Sequence, residues 1–278
     1  MRMIQRVLTV LVLVGFVAAT QSASAADIFP DKKLEAVIKA ILKKKQLKTD
    51  EIKVDDLKTI FFLEAPGKEI SDLTGLEKCT NLALIKLDKN KIENLKPLEG
   101  LKNVQSLDLA KNEISDVAPL AKLEKLQYLQ LENNAIEKLD GLAGLKKLSA
   151  LYLTGNKIKT VEPLKGLGKL ASLYLGGNEI SDLKPIAGLK WVANLDLREN
   201  KITDLKPLEG MTELRYTFLQ KNKIADIGPL VAMAKKDAAG KKRFAPYWRL
   251  YLDEASLNDA GKKQLAELKK VGVRLNAK

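Results

Sequence analysis

An asparagine returns every 22 residues through the middle of the chain. The row consists of Asn90, Asn112, Asn134, Asn156, Asn178, Asn200 and Asn222. Each closes the phrase Leu-x-x-Leu-x-Leu-x-x-Asn-x-Ile, which is complete between Leu148 and Ile158. Seven residues after most of these asparagines comes a proline, at Pro97, Pro119, Pro163, Pro185, Pro207 and Pro229, with Gly141 in its place once. Self-similarity at a fixed period indicates a stack of equal structural units.

The first half of each unit predicts a short β-strand. In Leu151-Tyr152-Leu153 the two leucines are two residues apart and point to the same side of a strand, with Tyr152 on the other side. One such strand cannot bury its apolar side alone, so the units must stack. The asparagine comes where the chain leaves the strand, and we expect its amide to bond backbone groups of its own and the next coil. The asparagine row is therefore interpreted as structural.

The second half of each unit predicts a tight turn. Proline suits the first position of a short helical turn because its φ is fixed and it lacks an N–H. Twenty-two residues leave little room for a full α-helix, so 3₁₀ turns are expected. These turns are wider than the roughly 4.8 Å between paired strands, so the stack must curve. The sequence predicts an α/β repeat fold, a right-handed leucine-rich-repeat solenoid with parallel strands on its concave face and mostly 3₁₀ turns on its convex face.

The N-terminal part of the chain divides into two predicted segments. Residues 1–25 are interpreted as a secretory signal peptide, because Arg2 and Arg6 precede an apolar run that is followed by small residues. An uncleaved N-terminal anchor is the alternative. Residues 26–59 are expected to form a helical cap whose first helix is capped by Asp31.

The repeats are expected over residues 60–230 and a C-terminal cap over residues 231–278. After Asn222 the next strand-like phrase, Leu250-Tyr251-Leu252, comes 33 residues on instead of 22. The extra residues are interpreted as an α-helix that replaces a 3₁₀ turn, followed by a further helix and a short strand. A protruding basic loop at Lys241-Lys242-Arg243-Phe244 is the alternative.

Composition excludes several kinds of function. The chain has no histidine and one cysteine, Cys79, so it lacks an internal disulfide, the commonest general base and the usual zinc ligands. No glycine-rich phosphate loop, nucleophile motif or metal-ligand cluster is apparent, so we expect no catalysis, cofactor or metal site. Cys79 is interpreted as a small, partly buried residue, with an intermolecular disulfide as the alternative.

The formal charge of the chain is +13, or +11 once Arg2 and Arg6 are removed. A positive charge of this size makes polyanions conceivable partners. The lysines are interleaved with acidic residues through the turns, however, and scattered lysine usually serves solubility. A dedicated site for acidic envelope or glycan polymers is kept as the alternative function, and a nucleic-acid partner is not expected.

The N-terminal cap carries a more specific pattern. The run Ile28-Phe29-Pro30-Asp31 and the later phrase Ile70-Ser71-Asp72-Leu73 resemble the cap and first repeat of bacterial internalins. The phrases at Ile180 to Ile186 and Ile202 to Leu208 fit the same family. The resemblance implies an extracellular protein whose concave face binds another protein. Because no immunoglobulin-like or wall-binding segment is apparent, simple secreted or periplasmic recognition is expected.

The candidate binding residues are those expected to face the hollow of the arc. They are Lys86, Asp108, Tyr128, Gln130, Tyr152, Tyr174, Asp196, Arg198, Tyr216, Phe218 and Tyr251. Exposed aromatic side chains among charges suit a protein or glycan contact. The alternative is that these tyrosines only pack against cross-strand neighbours. Thr217 occupies a leucine position beside Phe218, where a one-residue slip would exchange their faces. Trp191 and Trp248 are interpreted as packing residues.

The function predicted from these patterns is protein binding by a secreted or periplasmic monomer, through a concave, tyrosine-rich face. No membrane span is expected once the signal peptide is cleaved. The alternatives are binding of acidic envelope or glycan polymers through the basic surface, and a purely structural spacer without a saturable partner.

Overall fold

The computed structural model describes residues 28–276 and contains one parallel sheet in which the ten strands follow chain order. The strands are β1 (Phe62–Glu64), β2 (Leu84–Lys86), β3 (Ser106–Asp108), β4 (Tyr128–Gln130), β5 (Ala150–Tyr152), β6 (Ser172–Tyr174), β7 (Asn194–Asp196), β8 (Tyr216–Phe218), β9 (Arg249–Tyr251) and β10 (Arg274–Leu275). From β1 to β8 the register advances by one 22-residue unit per strand. The solenoid predicted from the repeat is confirmed.

The strands alternate between a buried and an outward side chain as the sequence predicts. Leu151 and Leu153 are fully buried, while Tyr152 between them is only half-buried. The buried leucines and isoleucines of successive coils form one continuous hydrophobic core. Because each coil contacts mainly its neighbours, the core extends along the stack rather than around a centre.

The asparagine row joins consecutive coils by hydrogen bonds. The side-chain oxygen of Asn156 accepts from the backbone N–H of Ile136 at 3.1 Å. Its amide nitrogen donates to the carbonyl of Leu131 at 3.0 Å and to that of Leu153 at 2.9 Å. The structural role of the row is confirmed, but the second partner coil is the preceding one and not the following one. The amide contacts the preceding coil because the turn places it next to the end of that coil's strand.

Short 3₁₀ turns form the side opposite the sheet. They span Leu76–Lys78, Lys96–Leu98, Ala118–Lys122, Asp140–Leu142, Glu162–Leu164, Lys184–Ile186, Lys206–Gly210, Ala245–Tyr247 and Glu254–Ser256. Proline occupies the second position in six of these turns. Five of these prolines belong to the predicted row, whose last member, Pro229, lies instead in an α-helix of the C-terminal cap. Gly141 departs from the proline row for a steric reason, because a Cβ there would lie 2.2 Å from the carbonyl oxygen of Val117.

The N-terminal cap consists of α1 (Lys32–Lys44) and the short α2 (Val54–Leu57). One carboxylate oxygen of Asp31 accepts from the N–H groups of Lys33 and Leu34 at the start of α1. The other oxygen accepts from the N–H groups of Ser71 and Asp72, at 2.9 and 3.2 Å. Asp31 therefore caps the helix, as predicted, and also fastens the cap to the first repeat. Burial alone would raise the pKa of Asp31, but these four amides hold it below its ordinary value.

Asp31→Ala is expected to lower the free energy of unfolding by about 2 kcal/mol near pH 7. Because the pKa of Asp31 is lower in the folded chain, its ionised form favours folding. That contribution is present above about pH 4 and is lost as the pH falls through the folded pKa. Urea denaturation at about pH 7 and about pH 2.5 should show the difference between wild type and variant shrinking in acid.

Asp31→Asn is the control for this experiment, since it keeps one acceptor oxygen but cannot titrate. Its cost should be smaller than that of Asp31→Ala. A wild-type advantage over Asp31→Ala that is unchanged at low pH would show that the charge on Asp31 contributes nothing.

The C-terminal cap begins with α3 (Gly228–Ala239), the helix that replaces a 3₁₀ turn. Asp237 in this helix accepts hydrogen bonds from the backbone N–H groups of Arg243, Phe244 and Ala245. Phe244 is fully buried, so the stretch 241–244 folds back onto the cap and does not protrude as a whole.

The cap ends with α4 (Asp259–Lys270), capped by Asn258, and with strand β10 as predicted. Beneath it the fully buried Trp248 donates its indole N–H to the hydroxyl of Thr217 at 2.9 Å. The register of β8 is therefore not slipped: Thr217 faces inward and Phe218 outward. The packing role predicted for Trp248 is confirmed.

Cys79 is fully buried, and burial raises the pKa of its thiol to about 12. The residue predicted to be small and partly buried is therefore fully buried, and a buried, protonated thiol is a poor partner for an intermolecular disulfide. Within residues 28–276, no helix has the length and apolar composition needed to cross a membrane. The signal peptide predicted over residues 1–25 lies outside the described residues.

Candidate functional site

Two rows of side chains leave the outward side of the sheet. The central row is Glu64, Lys86, Asp108, Gln130, Tyr152, Tyr174, Asp196, Phe218 and Tyr251. The preceding row is Phe62, Leu84, Ser106, Tyr128, Ala150, Ser172, Asn194, Tyr216, Arg249 and Arg274. Neighbours within a row lie roughly 4.8 Å apart, so similar side chains in adjacent coils can stack.

Three tyrosines in the middle of this surface form one stack. Tyr152 and Tyr174 are register partners, and their rings lie 4.8 Å apart at 22°. Tyr128 comes from the other row, yet its ring lies 5.4 Å from that of Tyr152. The Tyr128 ring can tilt toward the central row because its register partner in its own row, Ala150, is too small to block it. The three tyrosines are half-buried, so part of each residue remains accessible to solvent.

A second ring stack lies two strands further along. Phe218 and Tyr251 are register partners whose rings lie 4.7 Å apart at 12°. The guanidinium of Arg198 covers the Phe218 ring at 5.0 Å from its centroid. Arg198 thereby fills the interval between the two stacks and makes the aromatic surface continuous. We call this surface, with its rings Tyr128, Tyr152, Tyr174, Phe218 and Tyr251, the aromatic face.

Asp196 holds Arg198 in this position. The side chain of Asp196 is only 1% exposed, and it bonds the Nε of Arg198 at 3.0 Å and an Nη at 2.6 Å. The hydrogen bonds that Arg198 donates to Asp196 raise the pKa of Arg198, so the arginine stays charged. Room for the carboxylate comes from Gly176, where a Cβ would lie 3.1 Å from an Asp196 oxygen. The pair is bidentate, which fixes the plane of the guanidinium over Phe218.

The other end of the aromatic face carries acidic groups. Burial raises the pKa of Asp108, the N–H of Ala110 lowers it, and the nearby charge of Asp88 adds to a net rise. Burial, with contributions from Tyr152 and Asp108, raises the pKa of Tyr128 to about 12. The Tyr128 hydroxyl donates to Gln130, which in turn donates to Glu132 at 3.0 Å. The phenol of Tyr128 is thus neutral near pH 7, and its oxygen can still accept a hydrogen bond.

Comparison with known proteins identifies the family. A model of the leucine rich repeat matches residues 80–136 and 102–158. The structure is similar to internalin C2 of Listeria monocytogenes, with 30% identity and a TM-score of 0.67, over 76% of this chain and 93% of that one. The chain belongs to the internalin-like leucine-rich-repeat proteins. Among curated proteins, no sequence matches it significantly.

Two further structures share the fold of this internalin-like protein. Internalin F of Listeria monocytogenes is 22% identical with a TM-score of 0.56, over 94% of both chains. A leucine-rich-repeat protein of Leptospira interrogans is 22% identical with a TM-score of 0.69, over 81% of this chain and 62% of that one. Proteins of this kind mediate protein binding and are typically not enzymes, and internalin-like relatives are extracellular or surface proteins.

Most residues predicted to face the hollow do so in this internalin-like protein. Lys86, Arg198 and Tyr216 are exposed. The half-buried ones are Asp108, Tyr128, Gln130, Tyr152, Tyr174, Phe218 and Tyr251. Asp196 corrects the prediction: it lies in the central row, but its carboxylate is covered by Arg198 and cannot meet a partner directly. It is a positioning residue for Arg198. The described residues contain no cluster of acids, cysteines or histidines that could hold a metal ion.

The prediction that Trp191 is a packing residue is wrong, because its side chain is 62% exposed. The repeat itself indicates this exposure, since Trp191 comes 22 residues after Lys169 and 44 after Lys147 and takes the position of a solvated lysine.

A pairing that the repeat spacing could not reveal is the stack of Arg215 on the exposed ring of Tyr247, at 5.3 Å. A groove of about 680 Å³ lies elsewhere, among the turns near Pro97, and includes none of the aromatic face.

Proposed function

We propose that this chain is a secreted or periplasmic module that binds a protein partner through the aromatic face, without catalysis. The observation that carries the proposal is the stack of Tyr128, Tyr152 and Tyr174, whose half-buried rings are fixed by one another and still reach solvent. Tyrosine stacks of this kind supply large contact area with little loss of side-chain entropy on binding.

Neighbouring groups favour a protein as the partner of this surface. Binding energy at protein interfaces is concentrated in tyrosine, tryptophan and arginine side chains, and Arg198 lies between the two ring stacks. Its orientation is set in advance by Asp196, so a partner carboxylate would meet an ordered guanidinium. Asp108 and Glu132 near the opposite end provide charges of the other sign, which would fix the partner's direction.

The packing alternative, in which the tyrosines serve only the sheet, accounts for the stacking but not for the solvent-exposed ring edges. A purely stabilising ladder gains most from full burial. The remaining exposure is what an interface requires, because burying those edges on association supplies the binding energy.

Replacing both central rings, as Tyr152→Ala with Tyr174→Ala, is expected to weaken partner binding by about a hundredfold or more. The partner should first be captured and identified from envelope and culture extracts, using the purified wild-type protein as bait. The affinity of the purified partner for wild type and double variant is then measured by biolayer interferometry, at low and moderate salt. Binding of wild type should persist in moderate salt, because ring burial is not screened.

Tyr247→Ala is the matched control, since it removes an exposed ring that lies outside the aromatic face. Its affinity should stay within about threefold of wild type. Circular dichroism should show that the double variant remains folded. An unchanged affinity in the folded double variant would rule out the aromatic face as the binding surface.

A further inference from the structure

The segments that lead into the strands carry an unbalanced positive charge. In residues 102–105, 124–127, 146–149, 168–171 and 190–193, the charged side chains are Lys102, Glu124, Lys125, Lys146, Lys147, Lys169 and Lys190. All of them are exposed. We call this side of the solenoid the basic edge. These five consecutive coils therefore contain six lysines and one acidic residue here. This imbalance contrasts with the interleaving of lysines and acidic residues through the turns.

Lysines on the asparagine side of the sheet are arranged differently. Lys201 pairs with Glu179 and Lys221 with Glu199, each at 2.7 Å and each one coil back. On the basic edge, neither Lys147 nor Lys169 has a carboxylate of the described residues within 4.0 Å. Lys201 and Lys221 are thus neutralised by acids of the preceding coil, whereas Lys147 and Lys169 keep their charges available to an anionic ligand.

The exposed Trp191 stands at the end of this lysine row. Its indole is one wall of a shallow concavity of about 570 Å³, with Lys147, Lys169, Ser149 and Gln127 among the other lining residues. The Ser149 hydroxyl donates to the backbone carbonyl of Gln127 at 3.1 Å, so its oxygen can still accept a hydrogen bond. An exposed indole beside hydroxyl, amide and ammonium groups combines an apolar platform with polar partners.

We propose that the basic edge binds a linear acidic polysaccharide. One sugar ring of the polymer stacks on Trp191, and carboxylates of neighbouring sugar units pair with Lys147 and Lys169. Paired strands repeat at roughly 4.8 Å, close to the length of one pyranose unit, so an extended polyuronate that runs along the stack can meet a lysine in successive coils. The hydroxyl and amide beside the indole match sugar hydroxyls. An acidic peptide would use the charges but has no comparable need for this single platform.

The edge is extended at its C-terminal end by a cation on an aromatic ring. Arg215 lies over Tyr247, whose side chain is 61% exposed, and no carboxylate of the described residues pairs with Arg215. One Nη of Arg215 donates to the backbone carbonyl of Arg243 at 2.7 Å, and the remaining N–H groups of the guanidinium are available to an anion while Tyr247 covers its face. This surface uses none of the side chains of the aromatic face, so the two proposals stand or fall separately.

The test measures binding of the purified protein to immobilised alginate, a linear polyuronate, with soluble poly-glutamate as competitor. Lys147→Gln with Lys169→Gln is expected to weaken binding by at least about fivefold. The matched control, Lys201→Gln with Lys221→Gln, removes the same charge from the opposite side and should change binding by less than about twofold. Trp191→Ala should weaken alginate binding by about fivefold and leave poly-glutamate binding unchanged.

Three outcomes would overturn the proposal. Equal losses in the two lysine variants would indicate diffuse attraction to a basic protein. Full alginate binding by Trp191→Ala would remove the sugar platform. Tighter binding to poly-glutamate than to alginate would assign the edge to an acidic peptide. The variant Tyr152→Ala with Tyr174→Ala should bind alginate normally, which separates this result from that of the aromatic face.

Discussion

Replacing Asn156 by alanine is expected to lower the free energy of unfolding by about 3 kcal/mol. Its side chain bonds one N–H and two carbonyls of the backbone, which belong to its own coil and the preceding one. Without the amide the N–H of Ile136 remains buried and unpaired, at roughly 1–3 kcal/mol, and the carbonyls of Leu131 and Leu153 each lose one of two donors, keeping only Asn134 and Asn178. Urea denaturation followed by circular dichroism measures the change.

Asn103 provides a matched control for this prediction. Its side chain is partly exposed and donates one hydrogen bond, to the carbonyl of Thr80 at 3.1 Å. Asn103→Ala should therefore cost less than about 1 kcal/mol. Asn156→Asp keeps the acceptor oxygen but turns a second, charged oxygen toward two buried carbonyls, so near pH 7 its cost should be at least that of Asn156→Ala. If Asn156→Ala proved as mild as Asn103→Ala, the asparagine row would not be what joins the coils.

Trp248→Ala is expected to lower the free energy of unfolding by about 4 kcal/mol. The side chain is fully buried, its ring centroid lies 5.6 Å from that of Phe244, and its N–H is bonded to Thr217. Truncation leaves a large cavity under the C-terminal cap and an unpaired hydroxyl at Thr217. Urea denaturation should show the loss, with the C-terminal helices unfolding first because each coil depends on its neighbours.

The second tryptophan of the chain is the control. Trp191→Ala removes the same side chain from a site that is 62% exposed and should change stability by less than about 0.5 kcal/mol. Thr217→Leu restores the leucine of the repeat yet should destabilise by roughly 1–3 kcal/mol, since it removes the partner of the Trp248 N–H. A stabilising effect of Thr217→Leu would show that the bond between Trp248 and Thr217 is unimportant.

The candidate site was only partly predictable from the sequence. The outward rows follow from strand alternation and the 22-residue period, which placed Tyr152, Tyr174 and Phe218 correctly. The period could not show that Asp196 lies beneath Arg198, because a carboxylate in an outward position is buried only when neighbours leave room for it. Gly176, in the preceding coil, provides that room.

The basic edge illustrates the same limit. Spacing shows that Lys147 and Lys169 occupy equivalent positions, but it does not show which lysines have carboxylate partners. Lys201 and Lys221 are paired because Glu179 and Glu199 lie one coil back on the same side. Pairing of exposed charges depends on rotamers and on distances between coils, which a repeat pattern does not contain.

The sequence by itself determined the coil length, the strand positions, the asparagine row and the face toward which each strand residue points. These features are local or strictly periodic, so alternation and spacing are enough to define them. Only the tertiary structure decided that the rings form two stacks bridged by Arg198, that Trp248 reaches Thr217, and that one edge keeps its lysines unpaired. Those features depend on how side chains from different coils fit together, and that fit is set by packing in three dimensions.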